Sequence, residues 1–489
     1  MRRLLIANRG EIAVRVARTA RERGIFTIAV FSTADRDSLH ARMCDAAVEI
    51  GPAKASESYL NFGALLRAAK QSGADAVHPG YGFLSENADF ADAVLEAGLV
   101  WVGPAPSSIR SMGDKVTARR TMASAGVPVV PGFDKPSAEI PEFLRAADRI
   151  GYPVLVKASA GGGGKGMRRV DNGTDLARAL EAARSEAQSA FGDPRVYLEK
   201  VIESPRHVEF QIFGDREGRV LSLFERECSI QRRHQKIVEE APCVFLDAAT
   251  RERMALAATA AGRAAGYVGA GTVEFLLDSE KEFYFLEMNT RLQVEHAITE
   301  ETLGIDLVGA QLDVAQGQAL PAEWENLSPR GHAIECRLYA EDPDDFFPRS
   351  GKVLVYEEPR GPGVRVDSGV ERGSEVGIDY DPILAKIIAL AEDRETARRR
   401  MARALREFIL LGVTTNLSLL RRIIESTDFQ KARTDTAFLS RLPPAVREAP
   451  PAAAEIAAEI VASRKESGPS RPDSLQRDPW RRASGWRTG

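Results

Sequence analysis

Side chains able to hold metals, anions or protons recur at every second position in Glu287-Met-Asn289-Thr-Arg291-Leu-Gln293-Val-Glu295. In an extended chain this period puts Glu287, Asn289, Arg291, Gln293 and Glu295 on one face, about 6.7 Å apart. Leu286, Met288, Leu292 and Val294 then face the other way. A carboxylate and an amide two residues apart suit a hard cation, and Glu274 on the preceding strand adds a second carboxylate. The competing reading is a solvated edge strand, although the neighbouring segments are apolar.

Other segments carry chemistry of their own. The run Gly161-Gly-Gly-Gly-Lys165-Gly166 follows the apolar stretch YPVLVKAS, and its glycines let backbone N–H groups approach phosphate oxygens. It is not a Walker A loop, because Gly166 stands where Ser or Thr is required. A flexible hairpin is the alternative. The stretch Glu225-Arg-Glu227-Cys-Ser-Ile-Gln231-Arg-Arg-His234-Gln-Lys236 has the density of an anion-binding loop, or of a solvated charged segment. The loop His78-Pro-Gly-Tyr81-Gly82-Phe-Leu-Ser-Glu86-Asn87 ends a strand, where ligands collect in open α/β sheets, or where an ordinary turn caps a helix.

The elements that must position these groups follow from periodicity. The first ~110 residues alternate short apolar runs with helical patterns, which predicts a doubly wound, largely parallel sheet. Helices are expected over 115–125, 175–189 and 251–266, with a hairpin turning near 279–281. Strands return after about Gly331, with helices over 394–408 and 416–425. Past Leu442 the composition becomes linker-like.

Composition narrows the class. The 489 residues allow about two to four domains, which excludes a single small binding module. A 44% hydrophobic fraction excludes global disorder, and a net charge of −4 argues against a dedicated nucleic-acid binder. No apolar run is long enough for a transmembrane helix. The four cysteines form no CxxC pair, so a zinc site is not expected and the pattern is that of a reduced, cytoplasmic protein.

Taken together, the motifs IANRGEIA, HPGYGFLSEN, KAS-GGGGKGM, ECSIQRRHQKIVEEAP, EMNTRLQVEH, GHAIECRLYAEDP and DYDPILAKI resemble the biotin carboxylase family of ATP-grasp ligases, in order, from Met1 to about Leu442. The resemblance implies a multidomain protein of α/β and α+β type. Residues 1–113 would form the N-terminal domain with a doubly wound parallel sheet. Residues 114–330 would form the ATP-grasp domain, with a mobile glycine-rich lid at about 132–203. Residues 331–445 would form a mixed C-terminal domain, and 446–489 a tail.

The resemblance also implies roles. Lys115, Lys157, Met167, His207 and the hinge Glu199-Lys200-Val201-Ile202 are expected to contact ATP, with Leu276 and Leu286 against the adenine. Gly163, Gly164, Lys165 and Gly166 are expected to close over the phosphates. Glu274, Glu287 and Asn289 would hold Mg²⁺ or Mn²⁺. Arg291, Gln293, Val294 and Glu295 would hold bicarbonate, with Glu295 as general base. Arg337 would stabilise carboxyphosphate and the biotin enolate. Tyr81, Gly82, Gln231, His234, Lys236 and Asp381 would shape the biotin and phosphate end. The implied reaction is ATP-dependent carboxylation of biotin, the first half-reaction of an acyl-CoA carboxylase. The same half-reaction for pyruvate or another acceptor is the near alternative, and a carbamoyl-phosphate-type ligase or an ATP-binding scaffold is the distant one. Expected partners are a biotin carboxyl carrier and a carboxyltransferase, with neither nucleic acid nor membrane.

Two features depart from the family pattern. The run Arg360-Gly-Pro362-Gly-Val-Arg365 lacks the phenylalanine that family members use in a two-fold homodimer. No Ala-Met-Lys-Met motif is present, so the chain is expected to carry no biotin of its own.

Overall fold

The runs Leu4–Ile6 and Ile28–Val30 are buried throughout, as strands covered by helices on both faces must be. They lie in a five-stranded parallel sheet ordered Ala46–Gly51, Phe26–Ser32, Arg3–Ile6, Ala76–His78, Val100–Trp101. The chain order reverses at Arg3–Ile6. The loops after Ile6 and His78 therefore diverge and leave a crevice at the carboxyl edge of the sheet. Asn8 ties these two loops together, its Nδ2 donating to the carbonyls of Pro79 and Tyr81, each at 2.7 Å. The computed structural model describes residues 1–135, 138–159, 167–233, 235–444 and 459.

A second, antiparallel sheet is ordered Gly132–Phe133, Val196–Lys200, Val154–Ala158, Arg168–Val170. Helices Ile140–Ile150 and Gly173–Phe191 cover it through Phe143, Ala147, Leu176 and Leu180.

The largest sheet has eight antiparallel strands, ordered Phe283–Asn289, Gly269–Leu277, Arg206–Gly214, Val220–Arg232, Gln235–Ala241, His332–Tyr339, Ile383–Ala391, Val364–Ser368. Val238 pairs with Cys336, so the sheet continues across the point near residue 330 where the sequence reading divides the chain. Alternation sorts its two faces. Ile334, Cys336 and Leu338 pack with Met401 and Leu405 of helix Arg394–Glu407. Val208, Phe210 and Phe275 pack with Met254 and Ala258 of helix Ala248–Ala264.

The intervening residues, among them Glu209, Arg226, Glu239, Arg337 and Lys386, are buried on the opposite face. Helices His296–Leu303 and Gly10–Glu22 pack against strands of this sheet. The approach at the end of strand Val364–Ser368 is tight: a Cβ on Gly369 would fall 2.4 Å from the Glu11 amide nitrogen. No helix among the described residues is long and apolar enough to cross a membrane.

Candidate active site

Glu274 and Glu287 are register partners on the hairpin Gly269–Leu277/Phe283–Asn289. The next pair is Phe275 with Phe285, which leaves Leu286 as an extra residue in its strand. That bulge reverses the strand's parity. Phe285 and Met288 therefore enter the apolar core, while Glu287 and Asn289 line the cleft together with Leu286. The strict alternation read from the sequence would have put Phe285 and Glu287 on one face, and it would have turned Leu286 away from the cleft.

The extended row also ends sooner than expected. The strand stops at Asn289, and Glu295 sits at the N-cap of helix His296–Leu303 with φ −80 and ψ 13. Glu295 meets the cleft residues Lys236 and Arg337 because the intervening segment turns, not because it continues the strand.

The Glu295 carboxylate is completely buried and held from both sides. Lys236 Nζ donates to its Oε1 at 2.7 Å, and Arg337 Nη2 donates to its Oε2 at 2.9 Å. Burial alone would raise this carboxyl, but Lys236 and Arg337 hold it well below the usual carboxylate range. Lys236 also donates to Glu274 at 2.8 Å and to Glu209. Burial opposes its charge, yet the three carboxylates hold its ammonium well above the ordinary lysine value. Arg337 Nε donates to Glu239 Oε1 at 2.6 Å. Burial pushes Glu239 up to about 7 against the pull of Arg337.

The segment before Glu295 is tied at its start by Glu86, which accepts from the Thr290 amide at 3.1 Å and from Arg291 Nε at 2.9 Å. Arg291 donates further to Asn289 Oδ1 at 2.9 Å and to Gln293 Oε1 at 2.8 Å. Asn289 and Gln293 in turn donate to Glu274 Oε1 at 2.8 and 3.1 Å. Two of the three candidate metal ligands, Glu274 and Asn289, thus form one hydrogen-bonded set with the candidate anion ligands Arg291 and Gln293.

Burial, and then the charge of Glu274, raises the Glu287 carboxyl. Burial would raise Glu274 as well, but Lys236 and His207 hold it well below the usual carboxylate range, so Glu287 is the member of the pair short of positive charge. Two carboxylates and an amide oxygen, which keeps a lone pair beside its bond from Arg291, are hard donors of the kind Mg²⁺ or Mn²⁺ takes.

Of the residues expected at ATP, Lys115, Lys157, Met167, His207 and Leu286 line the same cavity of about 310 Å³ as Glu274 and Glu287, and Gln231, expected at the biotin and phosphate end, lines it too. Asp114 caps the helix that begins with Lys115, accepting from the Thr117 amide at 2.8 Å. Burial pushes the Lys115 ammonium down while Glu287 opposes it. Lys157 donates to Glu199 Oε2 at 2.8 Å, and His207 Nε2 lies 2.9 Å from Glu274 Oε2.

Glu199, Lys200, Ile202 and Leu276 contribute no side chain to that cavity wall. The Lys200 ammonium is directed to the carbonyls of Gly151 and Tyr152, at 2.8 and 2.9 Å. A second cavity of about 350 Å³, lined by Tyr81, Gly82, Tyr380 and Asp381, opens at the crevice of the parallel sheet. The two cavities share Arg291, Val294, Arg337, Tyr339 and Asp381. Gly163, Gly164, Lys165, Gly166 and His234 lie outside the described residues.

The sequence reading missed Glu209, Glu239, Arg119 and the part played by Glu86. Glu209 and Glu239 carry a usable signal, being acids inside the apolar strands HVEFQIFG and KIVEEA. Arg119, which donates to Glu199 at 3.3 Å, lies on an ordinary mixed helix and carries none. The free thiols Cys228, Cys243 and Cys336 are pushed well up by burial, which makes them poor nucleophiles.

Three family models match in order: "Biotin carboxylase, N-terminal domain" over residues 1–109, "Carbamoyl-phosphate synthase L chain, ATP binding domain" over 114–323, and "Biotin carboxylase C-terminal domain" over 335–441. The chain is 49% identical over 439 residues to the biotin carboxylase of Halalkalibacterium halodurans, covering 90% of this chain and 97% of that one. It is 50% identical over 445 residues to the mitochondrial propionyl-CoA carboxylase alpha chain of Homo sapiens, covering 90% of this chain and 61% of that relative's length. The biotin carboxylase of Campylobacter jejuni, solved as a beta-gamma-ATP complex, superposes with a TM-score of 0.88 at 46% identity, covering 90% of this chain and 98% of that one.

Proposed function

Because the chain belongs to the biotin carboxylase family of ATP-grasp ligases, we propose that its cleft carboxylates biotin with bicarbonate at the expense of ATP. The observation that carries this reading is Glu295: a fully buried carboxylate, kept ionised by Lys236, which lines the first cavity, and by Arg337, which lines both. One cavity has the lysines and carboxylates that a nucleotide triphosphate and its cation need. The other has the space and the mixed apolar and polar wall that a ureido ring needs.

Bicarbonate is a weak nucleophile. In this reading Arg291, Gln293 and Val294 orient it, and Glu295 removes its proton as an oxygen attacks the γ-phosphorus, the bond to the β,γ-bridging oxygen breaks and ADP leaves. Glu274, Glu287 and Asn289 would hold Mg²⁺ or Mn²⁺, which neutralises charge on the transferring phosphoryl group. Lys115 and Lys157 add fixed positive charge on the same side. The carboxyphosphate so formed yields CO₂ and phosphate. The phosphate takes the ureido proton, and Arg337 steadies the resulting enolate while the ring nitrogen attacks CO₂. Excluding water protects the labile intermediate.

This half-reaction would serve an acyl-CoA carboxylase in the cytoplasm, with a biotin carboxyl carrier protein or domain and a carboxyltransferase as partners. Support for the acyl-CoA acceptor is the likeness to the propionyl-CoA carboxylase alpha chain. The decisive assay is phosphate release from ATP with and without bicarbonate and free biotin. Cleavage that needs bicarbonate and rises with biotin is expected. Cleavage indifferent to both would overturn the reading.

A further inference from the structure

Lys386 belongs to none of the groups assigned above, yet it is fully buried in the middle of strand Ile383–Ala391. Its register partners are Arg337 on one side and Asp367 on the other. Its nearest partner is not an acid: Nζ donates to the carbonyl oxygen of Val294 at 2.8 Å. Glu11 Oε2 lies farther off at 3.4 Å, and Asp367 Oδ2 at 3.6 Å. Asp367 has its own two-pronged partner in Arg365, at 2.8 and 3.1 Å.

We propose, as a deepening of the bicarbonate reading of this site, that Lys386 is a positioning residue that holds the Val294 carbonyl and so fixes the Arg291–Glu295 segment over Arg337. Residues 290–295 lie in neither helix nor strand. Their placement therefore falls to side-chain anchors. Glu86 holds the start through the Thr290 amide and Arg291. The end is held by two neighbours in one row of the sheet, Arg337 on the Glu295 carboxylate and Lys386 on the carbonyl one residue earlier. Val294 borders both cavities, so a shift there moves Gln293 and Glu295 together relative to bound anion and nucleotide. Displacing reacting groups by about 1 Å can cost a hundredfold in rate.

Lys386→Met alone would strand Glu11, whose two oxygens have no hydrogen-bond partner, and the chain could fail to fold for that reason. The test is therefore Lys386→Met combined with Glu11→Gln, compared with Glu11→Gln alone. The double variant is expected to fold, to lose about ten- to a hundredfold in bicarbonate-dependent turnover, to need more bicarbonate, and to keep its ATP KM within about twofold. Amide exchange across 290–298 should quicken while global melting stays that of the single variant. Turnover and bicarbonate KM equal to those of Glu11→Gln would overturn the proposal, leaving Lys386 as a counter-charge only. So would an ATP KM that rises in step with the loss. If the unmodified chain shows no bicarbonate-dependent cleavage, the functional reading fails. The exchange comparison then still decides the role of Lys386, and unchanged exchange overturns it.

Discussion

Glu274 and Glu287 face each other across neighbouring strands, one step from the bulge at Leu286, and Asn289 donates to Glu274 at 2.8 Å. The charge of Glu274 adds to the cost of ionising the half-buried Glu287, a cost that a divalent cation would offset. Chelation by EDTA should therefore abolish ATP cleavage, and Mg²⁺ or Mn²⁺ should restore it. Glu287→Gln should raise the Mg²⁺ concentration for half-activity by about tenfold or more, because it removes one charged ligand. A magnesium titration of both forms checks this, and coincident curves would remove Glu287 from the metal site.

Glu295→Gln keeps the shape of the side chain and removes the proton acceptor. Bicarbonate-dependent turnover is expected to fall by about 10²–10⁴, with ATP affinity nearly unchanged. Steady-state kinetics with nucleotide binding measured separately would show it. Normal turnover would reject Glu295 as the base.

Lys236→Gln and Arg337→Ala should each lower kcat by roughly 10²–10³ while ATP binding weakens far less, since both act on charge that develops after ATP has bound. The comparison is kcat against the nucleotide dissociation constant. Proportional losses in the two would reassign either residue to ground-state binding.

Glu240 links the strand Gln235–Ala241 to His332 at 2.8 Å and to Arg394 at 2.6 Å. Burial would raise its carboxyl, but His332 and Arg394 bring it down to about 2 from an ordinary 4.5. A depressed folded-state value means that the stabilisation is complete above the unfolded value and disappears as pH falls through the folded one. Stability from this cluster should thus be present above about pH 4.5 and lost toward pH 2, amounting to about 3 kcal/mol. Melting curves of Glu240→Gln and the unmodified chain should differ near neutrality and converge toward pH 2. A gap independent of pH would contradict the assignment.

A chain ending at Pro443 should keep its activity on free biotin, because every described group of both cavities precedes that point. The assay compares bicarbonate- and biotin-dependent phosphate release of the shortened and full chains. A large loss would mean that the removed residues support the site or the fold.

The order of strands and helices was legible from periodicity, since burial on one face or on both leaves a local pattern of apolar residues. The polar row of Glu287, Asn289, Arg291, Gln293 and Glu295 was legible as a cluster of chemistry for the same reason. Its geometry was not. Period two predicts a face only while strand register holds, and the bulge at Leu286 reversed the parity where the prediction began. Beyond Asn289 the row left the strand, so the position of Glu295 depends on Glu86, Arg337 and Lys386. Those three anchors lie more than 40 residues away in the chain, and no local pattern encodes which distant strand or loop will deliver them. Residue types and spacing identified the chemistry available to the cleft. Only the pairing of distant strands decided which acid meets which cation, and so which carboxylate is held ionised and which is pushed toward neutrality.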